Sequence, residues 1–128
     1  MRKVVHFEIP ADDLQRAKAF YGDVFGWHIS TMDMPGGGEY TGVTTTPVDG
    51  QTMTPTEPGA INGALVNRDQ TNTAPVITID VDDITATLQQ IEGAGGSTVL
   101  ARTAIPGMGA FGYFKDPDGN VLGLWETS

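Results

Sequence analysis

His6 and Glu8, in the run VVHFEIP, are two residues apart, the spacing that puts two side chains on one face of a β-strand. At ordinary strand rise their Cα positions lie about 7 Å apart. There an imidazole can serve as a general base or hydrogen-bond a bound molecule, with the carboxylate orienting or charging it. The same pair also reads as a satisfied polar couple in a wet groove or at a subunit seam. Tyr40, Thr78 and Tyr113 carry the hydroxyls that give a binding pocket its few oriented polar groups. Trp125 is a candidate aromatic wall and Met108, in the loop IPGMG, a candidate flexible lid. Both read equally as core closure and gap filling. Other chemistry is thinly supported. The chain has no cysteine and no GxSxG elbow, and Gly36-Gly37-Gly38 lacks the lysine of a phosphate loop. His28, beside Trp27 on a peripheral strand, reads as a surface residue.

These residues need elements to hold them. Val4 to Ile9 alternates, with Val5, Phe7 and Ile9 on one side and Val4, His6 and Glu8 on the other, which predicts a half-buried strand. Asp12 or Asp13 then caps a helix whose apolar stripe is Leu14, Ala17, Tyr21, Val24 and Phe25, and that stripe is expected on the Val5/Phe7/Ile9 face. Strands follow at 27–31, 39–45 and 60–66, the last two separated by the long loop PVDGQTMTPTEPG. The second half predicts a strand at 75–81, a helix with Ile84, Leu88, Ile91 and Ala94 inward, and strands at 97–102, 110–115 and 120–126. Ile77, Ile79 and Val81 are assigned to the helix side, and Val76, Thr78 and Asp80 to the other.

The halves repeat. Ile9, Asp12, Asp13, Leu14 and Gly26 return 70 residues later as Ile79, Asp82, Asp83, Ile84 and Gly96. Each half is therefore β-α-β-β-β, one about 1–68 and the other about 74–128. At 128 residues they are expected to share a single domain. The class is α+β. Seven Lys and Arg against 16 Asp and Glu give a net charge of −9, which disfavours nucleic acid and anionic membrane surfaces as partners. With no long apolar run and no signal-peptide core in MRKVVHFEIPADD, a cytoplasmic protein is expected.

The ordered set HFEIPADDLQRAKAFYGDVFGW, GGGEYTGV, AINGAL, IDVDDITATL and IPGMGAFGYFKDPDGNVLGLWE resembles the vicinal oxygen chelate superfamily, which includes glyoxalase I, bleomycin-resistance proteins and extradiol dioxygenases. The resemblance covers essentially the whole chain. It implies tandem βαβββ modules forming a mixed sheet curled around a cleft. In enzymatic members the first and fourth strands of each half supply His, Glu or Gln ligands to a divalent metal. Carried onto this sequence, those positions are His6, Val76, Gly63 and Gly123, of which only His6 could hold a metal. Glycine at both fourth-strand positions is expected to open space for a ligand. The fold pattern with that ligand set lost leads to the expectation of a metal-free protein, with no cofactor, that binds a small apolar or aromatic molecule through His6, Glu8, Tyr40, Thr78, Met108, Tyr113 and Trp125. A metal-dependent lyase, isomerase or dioxygenase acting on a small carbonyl or diol is the alternative, as is metal-free proton transfer by His6 and Glu8. A homodimer is expected.

Overall fold

The computed structural model describes residues 2–128 and divides into two units, His6–Pro75 and a second formed by Val76–Ser128 with the residues up to Val5. The element order is β1 (Val4–Ala11), α1 (Leu14–Phe25), β2 (His28–Asp33), β3 (Glu39–Thr44), β4 (Asn62–Asn67), β5 (Val76–Asp80), α2 (Ile84–Gly93), β6 (Ser97–Ile105), β7 (Gly109–Lys115) and β8 (Val121–Thr127). This is the expected α+β class in its β-α-β-β-β tandem. Among the described residues no helix is long and apolar enough to cross a membrane.

In the first unit the strands are ordered β2-β3-β4-β1, with β1 and β4 parallel and the other neighbours antiparallel. Asp13 begins α1: its carboxylate accepts from Arg16 N at 3.0 Å, which satisfies one of the free N–H groups of the first turn. Gly26 ends it with φ of 70°, a left-handed conformation that costs glycine nothing. Ile29, Val43 and Leu65 form the buried centre, with Phe7, Ile9, Leu14, Ala17, Tyr21 and Trp27 packed around them. The α1 stripe stops earlier than expected. Val24 and Phe25 are exposed, because Trp27 stacks on Tyr21 at 5.2 Å and takes the place against the sheet that the last helical turn would have filled.

The second unit orders its strands β5-β8-β7-β6, with β5 and β8 parallel. Asp83 caps α2 through Ala86 N at 2.9 Å, repeating the first helix start. Glu126 also accepts from Ile84 N at 2.9 Å while it pairs with Arg102, so β8 fixes where α2 begins. Val81, Ile84, Leu88, Ala110, Phe114 and Leu124 make the core, and each large aliphatic side chain buried there contributes about 1.5–3 kcal/mol. Ile79 and Val81 pack on this core as expected, but Ile77 does not. It is exposed because β5 pairs with β8 only from Thr78 onward and α2 returns over the Ile79/Val81 end. Ala94 is likewise exposed, as the C-cap of α2.

Candidate functional site

The strands of each unit have one face packed on their own helix and one that this helix leaves open. In the first unit Phe7 and Ile9 take the helix side, so His6 and Glu8 project from the open face. The strand register extends that face. His6 lies beside Asn62, Glu8 beside Ala64, Ala64 beside Gly42, and Tyr40 beside Met32. A Cβ on Gly42 would come within 3.2 Å of the Tyr40 ring, so the ring folds back over the glycine toward the row that carries Ala64 and Glu8.

The electrostatics of this face favour neutral groups. Burial pushes the His6 imidazole down to about 4, which leaves it uncharged at neutral pH. Burial, and then the negative charge of Glu8, raises the Tyr40 phenol to about 12. Glu8 is engaged rather than loose: Asn72, itself buried, donates to its Oε1 at 3.4 Å. Asn72, Met32 and Asn62 were not among the sequence candidates. Met32 was legible in principle, since it sits in phase with Ser30 and His28 on an alternating strand. Asn72 lies in the polar connector after β4, and nothing local marks it as a partner for Glu8.

Asn62 has a different task. Its Oδ1 accepts from Thr45 N at 2.7 Å, Thr46 N at 3.2 Å and the Thr45 hydroxyl at 3.2 Å, and its Nδ2 donates to the Thr46 carbonyl at 3.2 Å. The side chain therefore pins the chain leaving β3. Next to it Thr46 Oγ1 is buried with no hydrogen-bond partner among the described residues.

In the second unit Thr78 pairs with Gly123, Asp80 with Trp125, Tyr113 with Gly123 and Phe111 with Trp125, so these residues share the open face. Phe111 and Tyr113 meet edge to face at 6.1 Å. Tyr40, Phe111 and Tyr113 are on open faces, whereas Phe114 joins a helix-side core. Trp125 is half-buried, and its indole N–H donates to Thr127 Oγ1 at 3.2 Å. Met108 is 44% exposed in the turn between β6 and β7, where its N–H bonds Ile105 O at 3.0 Å.

A scan against family models matches residues 3–124 to the Glyoxalase/Bleomycin resistance protein/Dioxygenase superfamily. The chain belongs to that superfamily. A glyoxylase-like domain-containing protein of Didymella fabae is 31% identical over 119 residues, covering 89% of this chain and 85% of that one. The anthracycline biosynthesis protein DnrV of Streptomyces peucetius is 26% identical over 127 residues, 94% of this chain but 45% of its own length. The chain thus spans less than half of that relative. Among solved structures, methylmalonyl-CoA epimerase from Mycobacterium tuberculosis shares the fold with a TM-score of 0.64 at 16% identity, covering 98% of this chain and 87% of that one. A hypothetical protein, BH1468 from Bacillus halodurans, does so with a TM-score of 0.67 at 13% identity, covering 99% and 95%.

The superfamily resemblance directs attention to the first and fourth strands as ligand positions, and the donors there do not fit a metal. Val76 is a buried aliphatic residue. Gly63 is on the helix side of β4, which corrects the expectation that it faces the cavity: a Cβ there would strike the Phe7 carbonyl and come within 2.6 Å of the Phe7 ring. The open-face residues of β4 are Asn62, whose amide is committed, and Ala64. Gly123 is on the open face as expected, but a Cβ there would lie 2.6 Å from Thr78 Oγ1, so the buried threonine already fills the space. Neither glycine opens room for a ligand. Among the described residues no group of three or more His, Cys, Asp and Glu side chains is placed to hold a metal ion, against the three protein ligands of ordinary catalytic sites.

Proposed function

We propose that the chain binds a small, uncharged, apolar or aromatic molecule on the open face of its first sheet, without a metal. The observation that carries this reading is that the open face holds two ionisable groups, His6 and Tyr40, that burial keeps in their neutral forms, with Met32 beside Tyr40. Such a face offers an imidazole and a phenol as oriented hydrogen-bonding groups and a polarizable methionine as an adaptable apolar contact. Glu8 opposes anionic ligands. A neutral imidazole beside a carboxylate is also the arrangement that proton abstraction needs, which keeps metal-free proton transfer on a carbonyl compound as the second reading. The glyoxylase names of relatives make small carbonyl compounds the natural first probes for it.

Calorimetric titration with neutral aryl ketones and naphthols tests the first reading. Saturable binding is expected, weakened about tenfold by Tyr40→Phe or His6→Ala, the loss of one oriented hydrogen bond of about 1.4 kcal/mol. Stoichiometric Zn, Ni, Fe or Mn in protein purified without chelator, and lost on His6→Ala, would overturn it in favour of a metal-dependent lyase, isomerase or dioxygenase. Solvent deuterium exchange into a bound aryl ketone, abolished by His6→Ala, would select the proton-transfer reading.

A further inference from the structure

Beside the first half of α1, on the helix side of β1 and so away from His6 and Glu8, lies a cavity of about 310 Å³. Its walls are the end of β1 at Ile9 and Pro10 and the helical residues Ala17, Phe20 and Tyr21. Phe20 and Tyr21 meet edge to face at 5.1 Å, and Tyr21 is held in turn by its stack on Trp27. Two rings set edge to face make a corner that can receive a third. Phe20 is 54% exposed, so its ring offers contact surface that the core does not use.

The rim carries charges that are not equally spent. Asp12 accepts from Arg68 Nε at 3.0 Å, and Arg68 Nη1 also donates to the Thr73 carbonyl at 2.7 Å. The Asp13 carboxylate caps α1, where it accepts from Arg16 N at 3.0 Å and meets the positive end of the helix dipole. Both carboxylates are thus matched. The Arg16 guanidinium, by contrast, makes no hydrogen bond or ion pair among the described residues, and it lies one helical turn before Phe20. An unspent planar donor beside an aromatic corner suits a carboxylate carried on a ring.

The repeat shows that the fold does not require this arrangement. The positions 70 residues after Arg16, Ala17 and Phe20 are Ala86, Thr87 and Gln90, which supply neither a cation nor a ring. Thr87 is buried and donates to Asp83 O at 2.7 Å, whereas Ala17 is smaller and only half-buried. A helix start of this kind therefore forms without Arg16 and Phe20, and their presence calls for another reason.

We propose that this cavity is a second ligand site, which takes a single-ring aromatic carboxylate with its ring in the Phe20/Tyr21 corner and its carboxylate on Arg16. The site does not rest on the reading given for the open face, where Glu8 opposes the anions that Arg16 would select. Its volume is at the lower end of ligand pockets, which begin at about 300 Å³, so one ring fits better than a fused system.

Amide NMR titration of the isotope-labelled chain with phenylacetate tests this. Saturable shifts at Ala17, Phe20 and Tyr21 are expected, with a dissociation constant of roughly 1 mM for about ten non-hydrogen atoms on a half-open site. Phenylacetamide, which keeps the ring and loses the charge, and acetate, which keeps the charge and loses the ring, should each bind about tenfold more weakly or worse. Arg16→Gln and Phe20→Ala should have the same effect with unchanged far-ultraviolet circular dichroism, since both side chains are exposed, and Arg16→Lys should restore part of the affinity. His6→Ala and Tyr40→Phe should leave phenylacetate binding unchanged, which separates this site from the open face. No saturation by about 10 mM, a concentration well above the expected constant, overturns the proposal. So does equal binding of phenylacetamide, full affinity in folded Arg16→Gln, or shifts confined to the open-face strands.

Discussion

His6 gives the sharpest quantitative expectation, because burial holds its imidazole at about 4 while an unfolded histidine titrates at its ordinary 6.5. The folded chain thus resists a proton that the unfolded chain accepts. Above about pH 6.5 neither state binds it and the full stability is present; as pH falls the unfolded state gains protons first and stability is lost until about pH 4, below which both states are protonated. Two-state linkage with these values gives a loss on the order of 1 kcal/mol by about pH 5.5 and roughly 2–3 kcal/mol by about pH 4.5. Urea unfolding of the wild type and of His6→Gln across this range isolates the effect, because the carboxylates that also titrate are common to both chains and cancel in the difference. The wild type should lose stability relative to the variant by these amounts. A difference that stays flat from neutral pH to about 4.5 would refute the claim that His6 is buried in its neutral form, and with it the argument that this face prefers uncharged ligands.

Three further outcomes follow from the same geometry. Gly63→Ala should destabilise the chain by about 3 kcal/mol or more in thermal unfolding, since its Cβ must displace both the backbone and the ring of Phe7, which cannot move without opening the core. Asn62→Ala should cost about 2–3 kcal/mol by leaving Thr45 N and Thr46 N without their acceptor, and faster amide exchange at those two positions should report the loss directly. Tyr40 contributes stability that is complete below its unfolded value near 10 and is lost as pH rises toward 12, so ultraviolet titration of the folded wild type should show a phenol ionising near 12 that is missing in Tyr40→Phe.

Much of the architecture was legible because its signals are local. Alternation identified β1, and the Asp12-Asp13 pair before the first apolar helix stripe contained its cap; Asp13 and its repeat Asp83 bond the third helical N–H in the same way. The site was legible only where strand phase could be read from polarity. His6 and Glu8 stand against Phe7 and Ile9, and that contrast assigns their face. In AINGAL no such contrast exists: Gly63, Ala64 and Leu65 are all buried, and the phase of β4 is set by its pairing with β1, a long-range fact. Gly63 was misassigned for that reason. Its glycine answers to Phe7, across 56 residues of sequence. The end of the α1 stripe was missed for a related reason, because helical periodicity alone does not reveal that Trp27, beyond the helix, returns to stack on Tyr21.

The repeat itself separates what the fold requires from what a site requires. Aspartate recurs at 13 and 83 because each helix start must satisfy its own N–H groups, whatever the protein does. Even the repeated glycines serve different needs: Gly26 takes a left-handed turn in open space, whereas Gly96 leaves room for Ile91 and the Lys115 carbonyl, and Gly95 beside it takes the left-handed role at φ of 102°. On the open faces the copies diverge chemically. The first carries His6, Glu8 and Tyr40; at the positions 70 residues after His6 and Glu8 the second has Val76 and Thr78, both buried. A duplicated pair of metal ligands would constrain both copies at the same positions. At those two positions one copy keeps ionisable groups and the other has buried Val76 and Thr78. Any proton transfer or selective hydrogen bonding by His6 and Glu8 therefore belongs to the open face of the first copy.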